Sequence, residues 1–138
     1  MNNGPIIAFV KDTSSSQILS QAFAKYGTRP YVIYPGGIIE AIEHFRTAPS
    51  PPLLLVDCSE TEDPLSPMRE LLQVCTPGTA IIALGDQSDI GLFRDFIRLQ
   101  VKDYLVKPFG YQRFLKAVSK MPFEMTLVDA PVEEPEPE

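Results

Sequence analysis

Polar residues that could do chemistry stand directly after short apolar runs in this 138-residue chain. If the runs are parallel strands, these residues meet outside the carboxyl ends of the sheet, where the ligands of open α/β sheets gather. The residue types are compatible with a structural ion-pair cluster there, in which we expect Asp57 to pair with Lys107. The four groups are Lys11-Asp12, Asp57-Cys58-Ser59, Gly85-Asp86 and Lys107-Pro108.

Other kinds of chemical site find little support in the sequence. Cys58 and Cys75 are too few for a disulfide scaffold and lack the spacing of a zinc site, so we expect reduced thiols in or near the core. The only histidine, His44, is interpreted as a surface residue. The first turn, VKDTSSSQ, lacks the GxGxxG of a dinucleotide site, and no GxxxxGK[ST] phosphate loop occurs.

The elements that must position these residues follow from hydrophobic patterning. The apolar runs are continuous, which is typical of strands covered on both faces, and helical stripes lie between them. We therefore predict an α/β fold of the flavodoxin-like class, with a doubly wound, parallel, five-stranded sheet in the order 2-1-3-4-5. The runs are IIAFV (6–10), YVIY (31–34), LLLV (53–56), AIIAL (80–84) and DYLV (103–106).

Two helix starts are predicted from capping residues. The serines at 14–16 are expected to supply the N-cap of the first helix, and Asp63 that of the third, with Pro64 at its first position.

Composition and charge restrict the partners. The net charge is −6, and four glutamates in the last six residues account for most of it, so no basic patch is left to bind nucleic acid. No apolar run approaches the roughly 18 residues needed to span a bilayer, and no signal peptide is recognised, so no membrane insertion and a cytoplasmic location are predicted. We expect one domain over 1–121 and an acidic, Pro/Glu-rich tail or linker over 122–138.

The strand-end residues resemble the receiver domain of two-component response regulators (CheY-like) over about residues 5–120. The resemblance is carried by Asp12 after the first run, Asp57 ending LLLVD, and Lys107-Pro108 in DYLVKPF. It implies that Asp57 is the phospho-acceptor. It also implies that Lys107 pairs with phosphoryl oxygens and that a cis peptide bond precedes Pro108.

The same resemblance implies a metal site and a switch residue. Asp12, Asp57 and Ser59 would hold Mg²⁺ through oxygen ligands. Tyr104 matches the aromatic switch position.

Three departures from that pattern weaken the implied phosphorylation cycle. Lys11 stands where the family has a second metal-side carboxylate, so its ammonium could take the electrostatic role of the metal, and we expect only weak Mg²⁺ binding. Gly85 stands where a switching Thr or Ser is expected, which leaves no hydroxyl to bond a phosphoryl oxygen. Asp86 adds like charge near any phosphate. An atypical receiver is predicted.

A narrower resemblance includes the Gly85 departure. The segment from 53 to 109 resembles the receiver-like amino-terminal domain of the Tad/Cpa pilus-assembly proteins TadZ and CpaE, in which an ATPase follows. The present chain lacks that ATPase and is interpreted as a fragment or a stand-alone relative. The matching motifs are VCTPGT (74–79), Gly85, SDI (88–90), FR (93–94) and DYLVKP (103–108).

Three functions are compatible with these patterns. The first is a non-enzymatic module that binds other proteins at the cell pole. Its partner would be a second copy of the chain, in a homodimer, or another pilus-assembly component. The second is a phosphorelay receiver phosphorylated on Asp57 by a histidine kinase or a small phosphodonor. The weaker third is a metal-dependent phosphatase, for which the sequence supplies no base and no second carboxylate.

The fourth helix is the predicted interface. Its apolar residues spread over about half of the circumference, more than the roughly 100° stripe that covers a sheet. We assign Leu92, Phe96 and Leu99 to a partner, although a helix packed more deeply than average would give the same pattern.

Overall fold

The computed structural model describes residues 5–26 and 30–118. Five βα units follow one another, and all strand pairs are parallel in the order β2-β1-β3-β4-β5, which confirms the predicted fold class and topology. The elements are β1 (Ile6–Val10), α1 (Thr13–Tyr26), β2 (Tyr31–Pro35), α2 (Ile38–Phe45), β3 (Leu53–Asp57), α3 (Leu65–Val74), β4 (Ala80–Gly85), α4 (Ile90–Arg98), β5 (Asp103–Val106) and α5 (Tyr111–Val118).

The sheet separates two apolar cores, because alternate side chains of each strand point to opposite faces. From β1, Ile7 and Phe9 join the core beneath α2, α3 and α4, whereas Ala8 and Val10 join the core beneath α1 and α5. The central strands β1, β3 and β4 are buried throughout, as their continuous hydrophobicity predicts.

Two helix starts differ from the prediction. The carboxylate of Asp12 accepts a hydrogen bond from the Ser15 amide at 2.9 Å, so Asp12 caps α1 and the serines lie inside the first turn. Helix α3 begins at Leu65, with Pro64 in the cap position and no side-chain cap from Asp63. Each of the two helices therefore starts at least one residue away from its predicted start, and Asp12 has a structural role as the cap of α1.

An ion pair between a buried aspartate and a partly exposed arginine anchors the edge strand β5. Asp103, at the start of β5, is 1% exposed, and Arg113 of α5 donates two hydrogen bonds of 3.1 Å to its carboxylate. Such a two-pronged pair fixes orientation as well as position. It therefore holds β5, and the lysine that follows it, against the rest of the domain.

The predicted domain boundary at residue 121 and the acidic tail over 122–138 lie outside the described residues. Within the described part of the chain, no helix combines the length and apolar character needed to cross a membrane.

Candidate functional site

The carboxyl ends of three strands bring charged side chains together at one edge of the sheet. The ammonium nitrogen of Lys107, after β5, lies 2.5 Å from Asp12 Oδ1 and 2.5 Å from Asp57 Oδ2. The predicted pairing of Asp57 with Lys107 is thereby confirmed. Since β1 and β3 are neighbours and β5 lies two strands beyond β3, the long lysine side chain reaches across the end of β4.

Asp57 has no exposed surface, and both of its carboxylate oxygens accept hydrogen bonds. Oδ2 accepts from the Lys11 backbone amide at 2.8 Å, in addition to Lys107. Oδ1 accepts from the Ser59 amide at 3.0 Å and from its hydroxyl at 2.6 Å. A carboxylate is tolerated without solvent only when its lone pairs are engaged in this way.

The side chain of Lys11 occupies a place that the sequence does not reveal. Its ammonium group donates to the backbone carbonyl of Ser59 at 2.6 Å. The lysine stem passes Gly37, where the Cβ atom of any other residue would lie 2.6 Å from Lys11 Cε and 2.7 Å from the Asp57 carbonyl oxygen. Only glycine leaves room at this position, so the Gly36-Gly37 pair was the one signal that could have indicated this approach.

The ionisation of the cluster follows from its hydrogen bonds. Burial by itself raises the pKa of Asp57, but the bonds from Lys107, Ser59 and the Lys11 amide outweigh burial and leave the pKa below its ordinary value. The pKa of Asp12 is lowered for the same kind of reason. Burial lowers the pKa of Lys107, yet its two carboxylate partners raise it overall. The carboxylates and Lys107 are therefore charged at neutral pH.

The oxygens expected to hold Mg²⁺ do not fit a divalent cation as they are arranged. Asp12 Oδ1 and Asp57 Oδ2 both accept from Lys107, and the Ser59 carbonyl accepts from Lys11. No cluster of three or more His, Cys, Asp or Glu side chains suited to a metal occurs among residues 5–26 and 30–118. Lys107 pairs with both carboxylates and the Lys11 ammonium holds the Ser59 carbonyl, so a dication would have to displace both lysines from these oxygens against charge repulsion.

A cleft of about 500 Å³ opens beside the cluster, between the start of α1 and the loop after β5. It is lined in part by Asp12, Ser15, Lys107 and Phe109, whereas Asp57 does not line it. The cleft therefore gives a small molecule access to the lysine and to Asp12, but not to the buried aspartate.

The proposed switch pair lies next to this edge. Tyr104 of β5 is 4% exposed, and its hydroxyl donates to the Gln87 carbonyl at 2.8 Å and accepts from the Gln87 amide at 3.2 Å. Its ring fills the space beside Gly85. The peptide bond between Lys107 and Pro108 is cis, as the receiver resemblance implies.

The two cysteines and the histidine are structural. Cys58 and Cys75 are buried free thiols, as predicted. Burial raises the pKa of Cys58 to about 12 and that of Cys75 to about 11, so neither is a ready nucleophile. His44 is half-buried rather than fully on the surface, because it packs against the rings of Phe9 and Tyr34.

The assignment of Phe96 to a partner surface is wrong, and Leu92 and Leu99 offer a partner only part of their surface. Phe96 has no exposed surface and packs edge-on against Tyr104 at a centroid distance of 5.2 Å, and both leucines pack partly buried against the same core. The exposed apolar stripe of α4 lies on the other flank of the helix, because Tyr104 of β5 draws the Phe96 side inward. It consists of Ile90 (71% exposed), Phe93 (37%) and Ile97 (40%).

Similarity to known proteins is found at the level of solved structures. No family model and no curated protein matches the sequence. Among solved structures, the pilus assembly protein CpaE from Caulobacter crescentus superposes with a TM-score of 0.79 at 28% identity, covering 84% of this chain and 97% of that one. A protein described as a CpaE2 pilus assembly protein, from Sinorhizobium meliloti, gives 0.79 at 26% identity, with 84% and 98% covered.

A response regulator from Thermotoga maritima shares the fold, with a TM-score of 0.67 at 23% identity over 85% of this chain and 96% of the other. The parallel sheet, the paired Asp57 and Lys107 and the cis proline thus occur in a chain with receiver-like and pilus-assembly neighbours. This chain has the CheY-like receiver fold and is most similar in sequence, among the structures named here, to the CpaE pilus assembly proteins.

Proposed function

We propose that the protein is a non-enzymatic pseudo-receiver that binds other proteins and does not cycle phosphate on Asp57. The observation that carries this proposal is the engagement of both carboxylate oxygens of Asp57, a residue with no exposed surface. A carboxylate attacks phosphorus with a free lone pair, and the lone pairs here are directed at Lys107, Ser59 and a backbone amide.

The biological setting of the proposal is pilus assembly of the Tad/Cpa type, at the cell pole. It is supported by the similarity to two pilus assembly structures at 28% and 26% identity. The partners would be pilus-assembly components or a second copy of the chain.

The alternative is a phosphorelay receiver phosphorylated by a histidine kinase or a small phosphodonor. Asp57, Lys107 and the cis bond before Pro108 favour it, since they occupy the positions that the receiver resemblance requires. It needs Mg²⁺ or an equivalent cation to displace two ammonium groups, which makes it the less favoured of the two.

Phosphorylation of the purified chain separates these functions. We expect acetyl phosphate with millimolar Mg²⁺ to leave the intact mass unchanged, because Lys11 and Lys107 hold the oxygens that the metal and the phosphoryl group need. Asp57→Asn is the matched control. A stoichiometric gain of one phosphoryl group that Asp57→Asn abolishes would overturn the proposal in favour of the phosphorelay receiver.

A genetic test addresses the proposed role in pilus assembly at the cell pole. In the organism that carries this gene, we expect its deletion to reduce surface pili, and both the wild-type and Asp57→Asn alleles to restore them. A fluorescent fusion should form polar foci. Normal piliation in the deletion strain would reject the pilus role while leaving the pseudo-receiver chemistry intact, and a folded Asp57→Asn protein that fails to complement would favour phosphorylation.

A further inference from the structure

Gly85 does more than remove a hydroxyl from the end of β4. A Cβ atom at this position would lie 2.5 Å from the hydroxyl oxygen of Tyr104 and 2.7 Å from its ring carbon Cε1. Real Cβ atoms do not approach heavy atoms so closely, and the ring of a buried tyrosine cannot yield as a flexible side chain could. The inward position of Tyr104 therefore requires glycine at position 85.

Tyr104 in turn holds the loop between β4 and α4. Its hydroxyl forms hydrogen bonds with both the carbonyl and the amide of Gln87. Burial, together with the nearby charges of Asp86 and Asp89, raises the pKa of Tyr104, so the hydroxyl keeps the proton that it donates. The loop backbone is thus tied to a side chain of the neighbouring strand.

The ring also fixes the helix that follows the loop. Phe96 of α4 packs edge-on against Tyr104, and both side chains belong to the core that α4 covers. Since Phe96 has no exposed surface, rotation of the Tyr104 ring outward would empty a volume that nothing else in this core fills. Loop, ring and helix therefore constitute one packed unit.

We propose that Gly85 and Tyr104 form a permanent lock that holds the β4–α4 loop and α4 in one arrangement, independent of the chemistry at Asp57. An outward position of Tyr104 would lose both hydrogen bonds to Gln87 and the ring contact with Phe96, so we expect a change at the acidic cluster to leave the tyrosine in place. This inference goes beyond the proposed function, because it concerns how the α4 surface is set and not what binds to it.

The test is a double-mutant cycle at the two positions. Gly85→Ala should lower the midpoint of thermal unfolding, because the new methyl group displaces the ring, and Gly78→Ala is the matched control, since a Cβ atom there meets nothing within 4 Å. In a Tyr104→Ala background the same Gly85→Ala change should cost far less, because the clash is gone. Equal costs of Gly85→Ala in the two backgrounds would overturn the lock.

A second measurement covers the case in which Gly85→Ala fails to fold. Tyr104→Phe keeps the ring but removes both bonds to Gln87, so hydrogen exchange of the Gln87 amide should accelerate by up to about tenfold, the effect of one net hydrogen bond. Amides of α5 should exchange at the wild-type rate. An unchanged Gln87 amide would show that the loop is held by something else and would reject the lock.

Discussion

Lys107 pairs with both Asp12 and Asp57, and the Lys11 ammonium on the Ser59 carbonyl adds a second positive charge to the cluster. The pairing matters most for Asp57, which has no exposed surface. A buried carboxylate that loses its cation keeps the cost of desolvation without the compensating attraction. Replacing Lys107 should therefore change stability, and replacing Lys11 should change the affinity for a metal ion.

Replacing Lys107 tests the structural part of this cluster. Lys107→Met keeps the length of the stem but leaves Asp57 with only its neutral donors, and we expect a loss of about 3 kcal/mol in the free energy of unfolding. Chemical denaturation gives that value. Lys102→Met, at an exposed lysine, is the control and should change stability by less than about 0.5 kcal/mol. Similar small effects of both variants would contradict the assigned role.

The pH dependence of stability follows from the shifted groups. The pKa values of Asp12 and Asp57 are lowered by folding, so the stability they contribute is present above the ordinary aspartate pKa, about 3.9, and is lost as pH falls through the lowered values. The pKa of Lys107 is raised, so its contribution is present below about pH 10.4 and is lost as pH rises further.

We therefore expect unfolding free energies that change little between about pH 5 and pH 9 on account of this cluster and fall on both sides. Lys107→Met should remove the alkaline loss and weaken the acid loss. Denaturant titrations across the pH range measure this, and an unaltered pH profile in the variant would contradict the charge assignment.

Metal binding tests Lys11. We expect Mg²⁺ to bind the wild type more weakly than about 1 mM, because the Ser59 carbonyl and both carboxylates are held by ammonium groups. Lys11→Asp should tighten binding by at least about tenfold, since it exchanges a repelling charge for an attracting one. Amide shifts in an NMR titration report the affinity. Submillimolar binding by the wild type would show that Mg²⁺ displaces the lysines readily.

At the scale of elements, α4 carries apolar side chains on two flanks, and only one of them covers the sheet. Periodicity predicts the helix correctly, but it cannot say which flank turns inward, because that depends on Tyr104 in the following strand. The difference in burial between the two flanks can be measured by replacing Phe93 and Phe96 separately.

Phe96→Ala should cost about 3–5 kcal/mol in unfolding free energy, because it opens a cavity in a fully packed core. Phe93→Ala, at a side chain that is 37% exposed, should cost less than about 1 kcal/mol. Denaturant unfolding of the two variants compares them directly. A larger loss for Phe93→Ala would mean that the helix is rotated relative to this structure.

The strand pattern and the strand-end rule predicted the sheet order and the meeting of Asp12, Asp57 and Lys107, because backbone topology alone brings those residues to one edge. The contact between Lys11 and Ser59 was not predictable in the same way. It depends on the missing side chain of Gly37, in a turn that is distant in sequence. Side-chain paths of this kind are set by local packing, which periodicity does not encode.

For the whole molecule, we propose that two copies associate through the exposed stripe of α4. Asp89 at the start of this helix is engaged as its N-cap and Arg98 near its end pairs with Asp95, so the contact between the two copies would be mainly apolar. Ile90, Phe93 and Ile97 would supply the apolar contact.

Phe93→Glu should then abolish self-association and leave the fold intact, because a charge at the contact must be desolvated on binding. Val32→Glu is the control, since Val32 is 38% exposed but lies on β2 at the opposite edge of the sheet. Sedimentation velocity and circular dichroism measure association and folding. A wild type that stays monomeric at high concentration would remove this proposal.

The two ion pairs of Lys107 also determine when the charge of Asp57 can be neutralised during synthesis of the chain. Lys107 follows Asp12 by 95 residues and Asp57 by 50, so its two ion pairs are among the most nonlocal contacts of the domain. As the chain leaves the ribosome, β1 and β3 can pair before β5 has been made, and Asp57 then lacks its principal cation until Lys107, directly after β5, has been synthesised. A nascent chain that ends before Lys107 would therefore have to bury the Asp57 carboxylate without its cation or leave this edge of the sheet open.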